Sequence, residues 1–364
     1  MSATAGPMRI ASIVGARPQF IKAGPVSAEL RKRHKEILIH TGQHYDPEMS
    51  ANLFAECGLA EPDFNLGVGS GPHGRQTADM LAGLEEVLQD TEPDFAIVYG
   101  DTNSTLAGAL AAAKLGIPAA HVEAGMRSGE KDLPEEINRI VADHLCRLLL
   151  APTAGAVENL HTEGLTEGVR MVGDVMVDAL ELAKRLARET DAVGQMGLHE
   201  NEFLLLTIHR AGTADSAEIL EGILGAVDEL GAPVVFPAHP RTRGTMERAG
   251  LGGWANVRIV PPVGHAALVG LAAAARCVLT DSGGVQKEAY LLGTPCVTLR
   301  KHTEWTETLA GGWNALAGTE PAKIAKAAAR PRPTADRPPV FGDGHAAERI
   351  ARAIEEQHRA PAAR

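Results

Sequence analysis

Several apolar runs in this chain end on residues that can move a proton or hold an anion. Glu123 closes one such run in His121-Val122-Glu123-Ala124-Gly125-Met126-Arg127. An ionisable side chain at the end of a buried strand is costly unless it is paired or used. Two readings are open: an ion pair with Arg127, or acid–base chemistry. Asp101 stands in the same way in Tyr99-Gly100-Asp101-Thr102-Asn103-Ser104-Thr105. It could cap the helix that follows, but so could Thr102 or Ser104, which leaves Asp101 spare. Pro134-Glu135-Glu136-Ile137-Asn138-Arg139 reads as a helix start, with both glutamates in the first turn that the helix dipole favours. Locally those two look structural. Asp101, Glu123 and Glu135 nevertheless all arise at strand ends, or in the loop after one, in one half of the chain. Carboxylates brought close together hold protons more tightly, as a general acid at neutral pH must.

Anion-binding candidates accompany them. The first apolar run ends in Gly15-Ala16-Arg17-Pro18-Gln19-Phe20-Ile21-Lys22. Gly15 permits a tight turn, and Arg17 and Lys22 lie near a helix start whose amides also favour negative charge. Farther on, Leu279-Thr280-Asp281-Ser282-Gly283-Gly284-Val285-Gln286-Lys287-Glu288 reads as strand, small-residue turn and helix. Free amides at Ser282, Gly283 and Gly284 would cradle an anion, and Glu288 could hydrogen-bond a ribose diol. His209, in Leu206-Thr207-Ile208-His209-Arg210, and His239, in Phe236-Pro237-Ala238-His239-Pro240-Arg241, also end apolar runs. Each reads either as a satisfied core histidine or as a ligand-binding one. Rival chemistries find no support. The sequence has no dinucleotide fingerprint, no P-loop, no GxSxG around Ser282 and no HExxH or clustered metal-ligand pattern, so no metal is expected.

The elements that must position these groups are short, continuous apolar runs alternating with Ala-rich helical stretches. The expected strands are Arg9–Gly15, Glu36–Thr41, Phe95–Gly100, Ala119–Glu123, Leu148–Ala151 and Arg170–Val172, then Phe203–Ile208, Val234–Pro237, Val257–Val260, Cys277–Thr280, Cys296–Leu299 and Ala315–Ala317. Thr105–Leu115, Glu135–Leu145, Ala217–Leu230 and Gly284–Leu292 are helical segments between them. Runs apolar throughout suit strands buried on both faces of a parallel sheet, and the alternation specifies a doubly wound α/β architecture. About twelve strands fit two Rossmann-like domains better than one sheet. The expected domains are 8–177, which carries the three carboxylates, and 203–340, which carries the small-residue turn, with a polar, helix-forming linker region over 178–202. Arg330–Pro339 is a proline-rich loop, and His345–Arg359 a terminal helix able to pack back on either domain, the N-terminal one being expected. The tail Ala360–Arg364 should fray. In such sheets ligands bind beyond the carboxyl ends of the strands, where the polar residues above stand.

Composition excludes further classes. The chain has 364 residues, of which 45% are hydrophobic and 22% charged, with a net charge of −11. That is the make-up of a folded soluble protein and not of a nucleic-acid or anionic-membrane binder. Three Trp, three Tyr and seven Phe are too few for a base-stacking platform. Cys57, Cys146, Cys277 and Cys296 show no ligand spacing and read as reduced core thiols. Met1–Pro7 lacks the pattern of a signal peptide, and the longest apolar run, Ala266–Ala275, is too short to span a bilayer. A cytosolic location is expected.

Taken in order, Gly15-Ala16-Arg17-Pro18…Lys22, Gly100-Asp101-Thr102, His121-Val122-Glu123-Ala124-Gly125, Pro134-Glu135-Glu136…Asn138-Arg139, His209-Arg210 and Asp281-Ser282-Gly283-Gly284-Val285-Gln286…Glu288 resemble the non-hydrolysing UDP-N-acetylglucosamine 2-epimerase family. The match runs from about Arg9 to Gly318. The resemblance implies a glycosyltransferase-B-like fold, two Rossmann-like domains closing on a UDP-sugar in the cleft between them. It also implies a homodimer with no cofactor. The implied reaction interconverts UDP-GlcNAc and UDP-ManNAc through loss of UDP to a 2-acetamidoglucal and its re-addition. By matching position, Asp101, Glu123 and Glu135 would be the acid–base carboxylates, with His209 near the diphosphate or leaving oxygen. Arg17 and Lys22 would hold the nucleotide from one domain. Ser282, Gly283 and Gly284 would hold the phosphates from the other, with Glu288 on the ribose. Arg139, His239 and Val263 complete the implied substrate-binding set.

Departures from the family pattern are Gln19 in place of a Glu, Trp305 in place of a nucleotide-contacting Arg, and Val263 and Leu268 in place of Gln and Phe near the uracil. Of the second, regulatory UDP-GlcNAc site, Gln43 and His44 match. Asp46 and Asp79 stand where a Gln and an Arg belong, which argues against allosteric activation. Gly-Ala-Arg-Pro-Gln-Phe-Ile-Lys, Asp-Thr-Asn-Ser-Thr, Val-Gln-Lys-Glu-Ala and Thr-Glu-Trp also resemble a sub-branch containing epimerases of UDP-2,3-diacetamido-2,3-dideoxyglucuronate. The simple substrate is placed ahead of that one. A glycosyltransferase on the same fold, a hydrolytic variant releasing free ManNAc and a non-catalytic sugar-nucleotide sensor would each use the same nucleotide-binding residues.

Overall fold

The computed structural model describes residues 6–43, 54 and 56–359; His44, Asp46 and the tail Ala360–Arg364 lie outside them. The chain divides into two compact units, one formed by residues up to Leu182 together with those from Pro339 onward, the other by Ala183–Pro338.

The first unit is built on seven parallel strands, β1 (Arg9–Val14), β2 (Lys35–His40), β3 (Phe64–Asn65), β4 (Phe95–Tyr99), β5 (Ala119–Val122), β6 (Leu148–Ala151) and β7 (Val169–Met171), in the order β3-β2-β1-β4-β5-β6-β7. The strand order reverses between β1 and β4, and beyond the carboxyl ends at such a point parallel sheets bind their ligands. β4, β5 and β6 are buried at every position, as continuous apolar runs require. β3 was not expected. It is two exposed residues at the sheet edge, too short and too wet to leave an apolar signature. The helix His73–Thr91 was likewise not singled out.

The stretch expected as a linker is helical from Val175 to Thr190, and the division of the chain falls within that helix. Val175, Met176, Ala179, Leu180 and Ala183 recur at helical spacing and are buried, which is why its first turns belong to a core. The last helix, Ala346–Arg359, buries Ala347, Ile350, Ala351 and Ile354 in the apolar cluster that also holds Ile10, Leu38 and Ile97. Its first two amides donate to the carboxylate of Asp178, at 3.2 and 3.1 Å.

The second unit carries six parallel strands, β8 (Leu204–Thr207), β9 (Val234–Pro237), β10 (Val257–Val260), β11 (Cys277–Thr280), β12 (Cys296–Thr298) and β13 (Asn314–Leu316), ordered β10-β9-β8-β11-β12-β13. Its order reverses between β8 and β11. Alternate residues of its strands feed two apolar clusters, one containing Leu204, Leu206, Phe236 and Leu279 and the other Leu205, Val235 and Val278. The four cysteines are buried and unbridged, and burial pushes the Cys57 and Cys277 thiols up to about 12. Among the described residues no helix is long and apolar enough to cross a membrane, and no group of three or more candidate ligands could hold a metal ion.

Candidate active site

In the first unit the parallel register sets Tyr99 of β4 beside Val122 of β5. Asp101 and Glu123 therefore leave the sheet from adjacent strand ends. Asp101 does not cap the following helix, Asn103–Lys114; Thr102 occupies that position, and its amide donates to Thr105 Oγ1 at 3.1 Å. The Asp101 carboxylate instead takes two hydrogen bonds from Arg139 on Oδ2, from Nε at 3.1 Å and Nη2 at 2.8 Å. Glu123 does not pair with Arg127. It meets Lys22 Nζ at 2.7 Å, with both side chains about nine-tenths buried. Lys22, expected on a nucleotide phosphate, thus neutralises a carboxylate. Arg17 is half-buried and forms no ion pair among the described residues. Glu123 also adopts φ +75°, a left-handed backbone that costs a non-glycine residue about 1 kcal/mol or more.

Glu135 and Glu136 separate sharply. Glu135 is exposed at the start of the helix Pro134–Leu145. Glu136 is buried, accepts the Ser128 and Gly129 amides and pairs with Arg139. Asn138 Nδ2 donates to the Asp101 carbonyl at 3.0 Å.

Gln19, His121 and Asp143 were not selected in the sequence as site residues. Gln19 Oε1 accepts the Gly15 and Ala16 amides at 2.7 and 3.0 Å while Nε2 donates to the Tyr99 carbonyl at 2.8 Å, tying the end of β1 to the end of β4. Gly15 must be glycine, because a Cβ there would lie 2.0 Å from Ser104 Oγ and 2.2 Å from Thr41 Oγ1. His121 and Asp143 form a buried pair at 2.6 Å. Burial raises the Asp143 carboxyl, but the charge and hydrogen bond of His121, the Arg127 guanidinium and the Gly125 amide outweigh it and hold the carboxyl below its ordinary value. A signal existed: Glu136, Arg139 and Asp143 follow one helix face at spacings of three and four, a charged stripe on a face that is buried.

In the second unit, Asp281 at the end of β11 is fully buried and accepts the His209 and Arg210 amides at 2.9 and 3.0 Å, fixing the loop after β8. His209 is thereby held with its side chain about half exposed. Of the three amides expected to be free, Ser282's is spent on Thr280 Oγ1 at 3.0 Å. Those of Gly283 and Gly284 have no partner among the described residues and open the helix Gly283–Leu292. Glu288 is buried and paired with His265 Nε2 at 2.6 Å, a partner the sequence did not indicate. Trp305 is buried and carries Lys287 Nζ 3.5 Å above its ring, a cation–π contact. His239 caps the helix Pro240–Ala249 by accepting the Arg241 amide on Nδ1 at 3.2 Å. Val263 is half-buried beside the apolar cluster that contains Leu268.

A model of the family described as UDP-N-acetylglucosamine 2-epimerase matches residues 28–355. The chain belongs to that family. It is a non-hydrolysing UDP-sugar 2-epimerase, an isomerase, and its two parallel sheets form the glycosyltransferase-B-like fold of that family. A UDP-N-acetylglucosamine 2-epimerase homolog of Methanococcus maripaludis is 46% identical over 350 residues, spanning 94% of this chain and 98% of its own. The UDP-2,3-diacetamido-2,3-dideoxy-D-glucuronate 2-epimerase of Pseudomonas aeruginosa is 44% identical over 355 residues, with the same shares. Among solved structures, the Methanocaldococcus jannaschii UDP-GlcNAc 2-epimerase in complex with UDP-GlcNAc and UDP is 39% identical, with a TM-score of 0.88, covering 96% of this chain and all of that one.

Proposed function

We propose that this epimerase interconverts UDP-GlcNAc and UDP-ManNAc by anti elimination and re-addition of UDP. The observation that carries the reading is the pair of carboxylates, Asp101 and Glu123, leaving adjacent strand ends, each held by its own buried cation. One carboxylate takes the C2 proton while the C1–O bond to UDP breaks, giving 2-acetamidoglucal with a C1–C2 double bond. The other, already holding a proton, delivers it to C2 from the opposite face as a UDP oxygen re-forms the bond to C1, and exchange with solvent resets the two carboxyl groups. Fixed acid–base groups on two faces account for inversion at an unactivated carbon. Glu135 joins them in this proposal as a third acid–base group, its carboxylate exposed one position before the buried Glu136. Arg17, the Gly283 and Gly284 amides and His209 would meet the diphosphate, with Ser282 beside them, and Glu288 the ribose. His239 and Val263 would complete substrate binding. A homodimer is part of the proposal, on the family resemblance, and sedimentation of the purified protein would establish or refute it.

The near-equal identity to the Pseudomonas enzyme supports a second reading, epimerisation of UDP-2,3-diacetamido-2,3-dideoxyglucuronate. Proton NMR in deuterated water with each substrate separates the two. UDP-ManNAc carrying deuterium at C2 is the expected outcome. Turnover of the diacetamido-uronate alone selects the second reading, and free ManNAc with UDP would mean that water traps the intermediate.

A further inference from the structure

Asp101 and Glu123 lie on separate loops, and two carboxylates serving opposite faces of one carbon need a fixed separation. His121 and Asp143 join those loops. His121 Nε2 donates to the carbonyl of Gly100, the residue before Asp101, at 2.7 Å, and Nδ1 donates to Asp143 Oδ1 at 2.6 Å. Asp143 Oδ2 in turn accepts the amide of Gly125, two residues after Glu123, at 3.1 Å. Arg127 closes the chain of contacts, reaching Asp143 at 2.9 Å and Glu163 at 2.7 Å. His121 and Asp143 are almost wholly buried, so neither is placed to touch substrate.

We propose that His121 and Asp143 are positioning residues that lock the Asp101 loop to the Glu123 loop. The inference rests on the acid–base reading of those two carboxylates. Both ring nitrogens of His121 face acceptors, a carbonyl and a carboxylate, so the bridge needs both N–H groups at once. The strained backbone of Glu123 agrees with this role, since a left-handed residue persists where its surroundings over-determine it.

The bridge can be cut at either end. In His121→Asn the amide nitrogen stands near the place of Nδ1 and keeps Asp143 while releasing Gly100. In His121→Gln it stands near the place of Nε2 and keeps Gly100 while releasing Asp143. Each should lower kcat about a hundredfold, the scale of an ångström of misplacement, with KM and the UDP dissociation constant moved by no more than about threefold. A variant that is less heat-stable but has wild-type kcat per folded molecule overturns the proposal, and so does a parallel loss of kcat and UDP affinity. Should both variants fail to fold, long-range proton–nitrogen NMR of the wild-type protein decides. Two protonated, hydrogen-bonded nitrogens on His121 support the bridge, and one bare nitrogen refutes it. D101N and E123Q serve as controls. If they retain turnover, the acid–base reading itself has failed, and the NMR result still judges the bridge.

Discussion

The two units put charge at their strand ends by different principal means. In the first, side chains do it: Lys22 on Glu123, Arg139 on Asp101, and His121 and Arg127 on Asp143, each contact linking residues distant in sequence. In the second, the backbone does it: Asp281 receives two loop amides, and Gly283 and Gly284 present theirs at a helix start. Side-chain pairs fix a proton carrier in place and neutralise it in one orientation. Bare amides at a helix N-terminus offer a dipole suited to any phosphate-sized anion. On the proposed function the first unit would govern the chemical step, and the second would supply most of the grip on the nucleotide, with Arg17 of the first adding to it.

The largest effect that could break this division comes from the carboxylates. D101N and E123Q keep the volume and part of the hydrogen bonding but remove the base. Each should cut kcat about a thousandfold, within the range of general acid–base catalysis, while calorimetric UDP binding stays near wild type. If UDP affinity collapses with activity, Asp101 and Glu123 themselves carry nucleotide recognition and the contrast dissolves.

A smaller, opposite effect is expected at Gly283. A Cβ there would lie 2.4 Å from Glu304 Oε1, a carboxylate tethered to Arg300 at 2.9 Å, so either that ion pair or the turn must shift. G283A should weaken UDP binding about tenfold, or ~1.4 kcal/mol, and leave kcat at saturating substrate largely intact. A loss of saturated kcat as large as that of D101N would place Gly283 in the chemical step instead.

Much of this contrast was legible in the sequence, and unevenly so. The continuous apolar runs announced parallel strands, and the polar residues ending them announced the crevice, because both signals are local. Asp101, Glu123 and the Ser282–Gly284 turn were found that way. Their partners were not. Lys22 and Glu123 are 101 residues apart, as are no two members of a short motif, and the nearer Arg127 offered a plausible but wrong partner. His265 and Asp143 escaped for the same reason, since a sequence period tells which face of an element is buried but not what it is buried against. Trp305 shows the remaining difficulty. Its role follows from a buried Lys287 stacked on its ring, a contact without a spacing rule.

The smallest test concerns a first-unit carboxylate doing the second unit's kind of work. Asp178, like Asp281, accepts two backbone amides, those of Ala346 and Ala347 at the start of the last helix. Burial raises its carboxyl above the ordinary value, and the two amides only partly counter this. An acid whose folded-state value lies above its unfolded one binds protons more tightly when folded. Folding therefore loses stability as pH climbs from the unfolded value through the raised one. Asp178→Asn removes that slope and keeps an oxygen for the amides. The melting temperature of the variant relative to wild type should therefore become more favourable from about pH 4 to neutrality, by no more than a few degrees for a change near 1 kcal/mol. A difference that is flat across this range, or that turns against the variant as pH rises, would show that the two amides hold the Asp178 carboxyl at or below its ordinary value. Asp178 would then act as a charged helix cap rather than a strained one.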